Sequence, residues 1–369
     1  SYMGVVGRRP IRSVKRFGGT SYYRPVLSSN TCPNTGRKIR SKNSLVNVLH
    51  TFRMLQVKSL FKKYTDSDQQ IVEAAQNITF EVPKGKLFTL LGPSGCGKTT
   101  LSKLILRAID ADSGDIKFND RGQEIDVRGL STSQLIPFRR KIQFIFQDPF
   151  GSLNPRMTVF DILAEPLIIH RIGDKQERRE FVQELMRLVG LDPRYLRRYP
   201  HSFSGGQRQR IGIARALALR PDMIICDEPV SALDVSIQAQ VLNLLKDLQD
   251  KLGLTYLFIS HNLAVVDYIA QRIAVMCAGR LVEIAPREQL FQNPIHPYTQ
   301  ALLSAVPEPS LDNKLDLSAL MEGKASSPAA WPQPFTIDGT GSLDLVEFEP
   351  GHFVRADPAR AVGISTAAS

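Results

Sequence analysis

The chain of 369 residues has few cysteines and no long hydrophobic run. Its four cysteines, at positions 32, 96, 226 and 277, are far apart and lack the spacing of metal ligands. This usage predicts neither a disulfide framework nor a zinc site, and it fits a reducing compartment. No stretch approaches the roughly 18 apolar residues that a membrane-spanning helix needs. We also expect no secretory signal, since the charged and apolar pattern of one is missing.

Acidic residues are absent from the first 65 positions, which hold fourteen of the 47 Lys and Arg residues. The remainder therefore carries 33 basic and 36 acidic side chains, a net charge of −3, and is an ordinary near-neutral body. Residues 1–52 show little periodicity and predict a poorly ordered basic arm. The arm could contact lipid headgroups, contact nucleic acid or serve in targeting. Alternatively, it is a solvated tail without a role, and Met54 is the natural start.

The pattern of short apolar runs predicts an α/β fold with a mostly parallel sheet. Strands are expected at 54–60, 71–82, 86–91, 115–118, 142–146, 223–226, 255–259 and 273–276. Residues 155–220 are mostly helical in pattern, and one face of 178–191 carries Phe181, Leu185, Leu188 and Val189. After position 307 the composition shifts to Ala, Ser and Pro, which indicates a linker at 308–334. Residues 335–354 then alternate like a small strand pair.

A phosphate-binding loop is the sharpest local signal in the sequence. The pattern G-x-x-x-x-G-K-[ST] is met by Gly92, Pro93, Ser94, Gly95, Cys96, Gly97, Lys98 and Thr99. A predicted strand precedes it and a predicted helix, 100–108, follows, which is the setting that the motif requires. Glycines let successive N–H groups point at one anion, and the helix N-terminus adds its partial positive charge. Lys98 would reach the β- and γ-phosphates, and the Thr99 hydroxyl would hold Mg²⁺.

Two acidic residues follow the apolar strand at 223–226. Carboxylates at a buried strand tip are costly unless a cation or a donor compensates them. We expect Asp227 to hold the Mg²⁺ of a bound nucleotide and Glu228 to act on the attacking water.

A second anion site is indicated where Ser204, Gly205, Gly206 and Gln207 open an apolar helix. Two phosphate sites make little sense for one nucleotide on one chain. They make sense if the second site completes the first site of a partner subunit.

Taken together, these motifs resemble the ATP-binding cassette (ABC) transporter ATPase subunits over about residues 54–307. Six motifs stand in the family's order: the phosphate loop, Gln147, the signature 204–207, Asp227-Glu228, the segment 231–234 and His261. The resemblance implies a P-loop NTPase of ABC type, with a mixed sheet core, an antiparallel β subdomain and a helical subdomain at about 148–220. It implies ATP and Mg²⁺ as cofactors.

The family's roles carry over to the matching residues. Gln147 would sense Mg²⁺ and couple to membrane subunits, and His261 would hold the γ-phosphate. Ser204 and Gly206 would cap a γ-phosphate bound on the opposite subunit, and Asp234 would communicate across the dimer. Thr100 belongs to the nucleotide site, and Tyr64 is the candidate for stacking on adenine.

Finer features are similar to those of the dipeptide, oligopeptide and nickel importers, namely the segments 147–155, 232–240 and 293–303. Two departures stand out. The tail after Cys277 has no cysteine, so it cannot hold the iron–sulfur cluster of some relatives, and Asn262 replaces the common Asp after the histidine.

The resemblance implies a peripheral protein at the cytoplasmic face of the cell (inner) membrane. Its expected partners are a second ABC ATPase subunit, in a homo- or heterodimer, two transmembrane permease subunits and, indirectly, an extracytoplasmic solute-binding protein. The expected domains are the arm 1–52, the ATPase domain 54–307, the linker and a small C-terminal module at 335–369. Three alternatives remain: transport of nickel or another solute, a non-transport ATPase acting on nucleic acid, for which the basic arm is the sole support, and a regulatory cassette, which the intact motifs disfavour.

Overall fold

The computed structural model describes residues 53–65, 69–305, 327–337 and 343–361. The predicted basic arm and residues 308–326 of the predicted linker lie outside the described residues.

The larger sheet is mixed and has eight strands in the order β11-β12-β10-β9-β3-β8-β7-β6. The strands β6, β7, β8, β3 and β9 pair in parallel, whereas β9, β10, β12 and β11 pair antiparallel. Their bounds are β3 Leu87–Leu91, β6 Ile142–Ile145, β7 Met223–Asp227, β8 Thr255–Ser260, β9 Arg272–Cys277, β10 Arg280–Pro286, β11 Asp344–Glu349 and β12 His352–Ala356. This mixed sheet confirms the predicted α/β class.

A second sheet is antiparallel, in the order β2-β1-β4-β5. Its strands are β1 Arg53–Thr65, β2 Ile71–Pro83, β4 Ser113–Asp120 and β5 Gln123–Asp126. The inner faces of the two sheets share one apolar core, in which the Phe80 ring stacks on the Phe88 ring at 5.1 Å between centroids. The two sheets therefore hold β2 beside the strand that leads into the phosphate loop.

Ten α-helices are described. They are α1 Lys98–Ile105, α2 Thr132–Lys141, α3 Val159–Ile169, α4 Lys175–Leu188, α5 Gly205–Leu217, α6 Val235–Leu252, α7 Leu263–Ile269, α8 Arg287–Gln292, α9 Pro297–Ser304 and α10 Pro358–Ala361. Helix α1 starts two residues before the predicted 100 and ends before 108, because the chain turns at Arg107, where φ is +52°. Helix α4 begins at Lys175, since the Asp174 carboxylate accepts from the N–H of Glu177 and caps it.

The helices α3, α4 and α5 lie within the range predicted to be helical and bury a common apolar core. The apolar face predicted for 178–191 packs into this core: Phe181, Leu185 and Val189 are buried, and Leu188 is partly buried.

The C-terminal strands do not form a separate module, which corrects the predicted division at 335. Strand β12 pairs with β10, so the pair β11–β12 extends the main sheet. Trp331, inside the predicted linker, is buried and packs edge-on against the ring of His296. The pairing covers the N–H and C=O groups that β10 would otherwise leave open as a sheet edge.

Candidate functional site

The phosphate loop follows the carboxyl end of β3 and leads into α1. Gly95 and Gly97 have φ values of +82° and +109°, a conformation that glycine adopts without strain. A Cβ on Gly97 would also lie 2.2 Å from the carbonyl oxygen of Ala74 on β2. The loop thus has a fixed conformation at the N-terminus of a helix, where backbone N–H groups can bind an anion.

Lys98 is 5% exposed, and its ammonium group turns back over the loop. Its Nζ atom donates to the carbonyl oxygens of Gly92 and Pro93, each at 2.8 Å, and lies 4.0 Å from Oε1 of Glu228. A buried cation with neutral acceptors and one distant carboxylate remains available to an incoming anion.

Asp227 ends strand β7, one residue beyond the predicted strand end, and lies against the start of α1. The hydroxyl of Thr99 donates to its Oδ2 atom at 3.1 Å. Burial is the main cause of the raised pKa of Asp227. The hydrogen bond from Thr99 lowers this pKa, and the charge of Glu228 raises it further. A cation would relieve this cost.

The oxygens of Thr99, Asp227 and the Gln147 amide are hard donors of the kind that Mg²⁺ prefers. Within the described ranges, no group of three or more His, Cys, Asp or Glu side chains could hold a metal ion by itself. The donor set therefore fits Mg²⁺ that shares its coordination with nucleotide phosphates, the usual arrangement for this ion.

Glu228 is 8% exposed and has a φ of +47°, an uncommon conformation for a residue with a side chain. Gln147 Nε2 donates to its Oε2 atom at 3.0 Å, and Nδ1 of His261 lies 2.9 Å from Oε1. The Glu228 N–H donates to the carbonyl oxygen of Ile259 at 3.0 Å, which fixes the backbone. Side chains that follow strands β6 and β8, which flank β7, thus hold one carboxylate.

A cavity of about 660 Å³ opens over the phosphate loop, and neither Asp227 nor His261 lines it. It is lined by the phosphate loop from Ser94 to Thr100, by Gln147 and Glu228, and by Tyr64, a residue that is 39% exposed. Its volume is that of a typical small-molecule site. The position of Tyr64 on this cavity is compatible with the adenine-stacking prediction.

One wall of the cavity was not identified from the sequence. It consists of Glu73, Ala74 and Gln76 from β2, and of Ala278 and Gly279 from the turn between β9 and β10. No local motif marks these residues, because contact between two segments about 200 positions apart brings them to the site.

The signature residues lie elsewhere. Ser204 is exposed at the N-cap of α5, where its hydroxyl accepts from the N–H of Gln207 at 3.4 Å. None of Ser204, Gly205, Gly206, Gln207 and Asp234 lines the 660 Å³ cavity of its own chain. Gly206 also has a packing role, since a Cβ there would lie 2.4 Å from Cγ2 of Ile237 on α6. The prediction that these residues serve a partner's nucleotide stays a prediction.

Comparison with known proteins adds to this geometry. Residues 75–231 match the family model of the ABC transporter, and residues 282–333 match the oligopeptide/dipeptide transporter C-terminal region. The oligopeptide transport ATP-binding protein OppF of Bacillus subtilis is 48% identical over 82% of this chain and 96% of its own length. The oligopeptide transport ATP-binding protein AmiF of Streptococcus pneumoniae is 49% identical over 83% of this chain and 96% of its own length.

Solved structures agree with these relatives. The dimeric post-hydrolysis structure of an ATP-binding cassette bound to ADP and Pi is 30% identical to this chain, with a TM-score of 0.57. That similarity covers 63% of this chain and 99% of the solved one. The chain therefore belongs to the ABC transporter family of ATP-binding proteins, in the branch that carries the oligopeptide/dipeptide transporter C-terminal region.

Proposed function

We propose that this chain is the ATP-binding and ATP-hydrolysing subunit of an ABC importer of di- or oligopeptides. The observation that carries the proposal is the Glu228 carboxylate, which Gln147 and His261 hold at the edge of a cavity built on a phosphate loop. The names of relatives at 48–49% identity support peptides as the solute.

In the proposed reaction, the loop amides and Lys98 bind the ATP phosphates and stabilise the negative charge of the transition state. Thr99, Asp227 and Gln147 would hold Mg²⁺, which supplies charge neutralisation when bound. Glu228 accepts a proton from the attacking water, and His261 orients the γ-phosphate. Tyr64 lies against the adenine ring.

The reaction requires two such subunits. The signature of one subunit would close over the nucleotide in the loop of the other, with Ser204 and Gly206 at the γ-phosphate and Asp234 between the two sites. ATP can shift the open–closed equilibrium because it contacts both surfaces in the closed state alone. Hydrolysis removes the bridging phosphate, and the subunits separate.

Gln147 also lines a second cavity, of about 850 Å³, which Asp227 lines as well. Phe146 and Phe150 are about half exposed near it, and such exposed aromatic side chains are typical of interaction sites. We assign this groove to a membrane permease subunit, since a shift of Gln147 on hydrolysis would be felt there directly. No described helix is long and apolar enough to cross a membrane. Contact with two permease subunits would place the chain at the cytoplasmic face of the membrane, and a solute-binding protein would act through those subunits.

The test is purification of the full chain from membranes with its bound subunits, followed by ATPase assays with added peptides or with Ni²⁺. Peptide-stimulated hydrolysis would support the proposal. Stimulation by Ni²⁺ alone would indicate that the transported solute is nickel and not a peptide. If nucleic acid stimulates hydrolysis, and removal of residues 1–52 abolishes this stimulation, the chain is a non-transport ATPase that acts on nucleic acid.

A further inference from the structure

A single buried arginine joins the C-terminal strands to the strand that forms one wall of the nucleotide cavity. Arg355 on β12 is 4% exposed, and its guanidinium group donates to three carbonyl oxygens. These belong to Leu281 on β10 at 2.6 Å, Leu343 before β11 at 2.8 Å and Asn77 on β2 at 3.1 Å. Burial lowers the pKa of Arg355 to about 10, so it remains a cation at neutral pH.

The contact with Asn77 falls at an irregularity of β2. Asn77 has a φ of +49°, and the register between β1 and β2 shifts around it. Such a bulge leaves a backbone group outside the regular ladder, where it needs another partner. Arg355 supplies that partner from a segment 278 positions away.

The neighbouring residue, Gln76, lines the cavity and fastens the rest of its wall. Its N–H donates to the carbonyl oxygen of Gly279 at 2.7 Å, and its Oε1 atom accepts from Nε of Arg280 at 2.8 Å. The N–H of Gly279 donates in turn to the carbonyl oxygen of Cys96 in the phosphate loop, at 3.0 Å. Hydrogen bonds and one covalent step therefore connect Arg355 to the loop.

This wall has little room to adjust. A Cβ on Gly279 would lie 2.4 Å from the carbonyl oxygen of Glu73, and one on Gly97 would lie 2.2 Å from that of Ala74. Backbone segments in such close contact transmit a displacement instead of absorbing it.

We propose that Arg355 is a positioning residue for nucleotide binding, through which the C-terminal strand pair holds the β2 wall against the phosphate loop. The inference rests on the proposed function, since it assigns the cavity to ATP. It makes the C-terminal strands part of the nucleotide site as well as of the sheet.

The chain offers a matched control in Arg272. This arginine also anchors the C-terminal strands, because its guanidinium donates to the carbonyl oxygen of Gly351 at 2.7 Å and lies over the ring of Phe353. It does not line the cavity, and the β2 residue with which its charge interacts is Glu81, which does not line the cavity either. The variants Arg355→Met and Arg272→Met each remove one guanidinium that anchors the C-terminal strands, the first from β12 and the second from β9.

The experiment measures the affinity for a fluorescent ATP analogue, the KM and kcat of hydrolysis, and the melting temperature of the full-length variants. We expect Arg355→Met to weaken nucleotide affinity and raise KM about three- to tenfold, the scale of one lost hydrogen bond, with a much smaller change in kcat. Arg272→Met should lower the melting temperature by a similar amount and leave the affinity for the nucleotide unchanged. Arg355→Lys, which keeps the charge, should restore part of the affinity.

A second route serves if Arg355→Met is too unstable to assay. Arg280→Met removes the other guanidinium contact to this wall and leaves β12 intact, and it should weaken affinity in the same direction. Equal affinities for the Arg355, Arg280 and Arg272 variants would overturn the inference and leave the proposed function standing. Failure of the unaltered chain to bind the ATP analogue would overturn the proposed function instead.

Discussion

Nδ1 of His261 lies 2.9 Å from Oε1 of Glu228, at the point where β7 and β8 end side by side. Gln147 Nε2 donates to the other oxygen of the same carboxylate at 3.0 Å. Two side chains from separate segments thus fix the orientation of Glu228. A carboxylate held in this way can accept a proton from a water molecule with little reorganisation.

Replacing Glu228 with Gln should leave ATP binding intact and lower kcat about 10²- to 10⁴-fold, because the amide fits the same place and cannot accept the proton. ATP should then trap a dimer, visible by size-exclusion chromatography. Glu288→Gln, a change of the same kind at a residue of α8 that does not line the cavity, is the control. Near-normal turnover of the Glu228 variant would contradict the role given to this residue.

Replacing Asp227 with Asn should raise the Mg²⁺ concentration for half-maximal hydrolysis by about tenfold or more, since an amide oxygen is a much weaker ligand than a carboxylate. The measurement is a Mg²⁺ titration of ATPase activity at saturating ATP. Asp247→Asn, at an exposed position of α6, should follow the unaltered protein. An unchanged titration would remove Asp227 from the metal site.

Replacing Ser204 with Asp separates the two roles of this residue. Aspartate caps a helix as well as serine does, so the stability of α5 should change by less than about 1 kcal/mol. The added charge would face a phosphate in the closed dimer, and the ATP-induced dimer of the Glu228→Gln background should be lost. Ser133→Asp adds the same charge on α2 as a control. A dimer that survives Ser204→Asp would argue against the composite site.

The Cys96 thiol should react slowly with maleimides, because it is 6% exposed and burial raises its pKa above the ordinary 9.0. Its thiolate fraction at pH 8 is therefore lower than that of an exposed cysteine, and labelling should accelerate as the pH rises further. Bound ATP should slow labelling, and labelled protein should lose nucleotide affinity. Mass spectrometry locates the label, and the labelled peptide that is absent from Cys96→Ser protein is the one that contains Cys96. Unchanged affinity after complete labelling would exclude Cys96 from the nucleotide loop's function.

Acid should destabilise the chain through His296, whose pKa burial lowers to about 3. The unfolded chain binds a proton at this residue below about pH 6.5 and the folded chain does not, so stability falls with decreasing pH between about 6.5 and 3. His296→Asn keeps a helix cap for α9 and cannot titrate.

Urea unfolding at pH 7 and pH 5 measures the effect. The unaltered chain should lose up to about 2 kcal/mol more between these pH values than His296→Asn. His201→Asn, an exposed position, serves as the control. Equal losses in the unaltered chain and His296→Asn would show that His296 titrates normally.

Features with a local cause could be predicted from the sequence. The phosphate loop is predictable because Gly95, Gly97 and Lys98 occupy fixed positions between a strand and a helix. The apolar strand before Asp227 and the cap at Ser204 were found for the same reason. Even so, the start of α1 was misplaced by two residues, because Gly97 allows the helix to begin as soon as the loop turns.

Features that depend on contacts between distant segments were missed or misassigned. The cavity wall around Gln76 needs β2 to meet the β9–β10 turn, and the C-terminal strands belong to the main sheet because β12 pairs with β10. The sequence alone determined which groups are candidates to bind phosphate and to accept a proton, because those chemistries demand particular residue types at short spacing. The tertiary structure decided which segments surround those groups, because pairing between strands depends on edges and registers that no local pattern encodes.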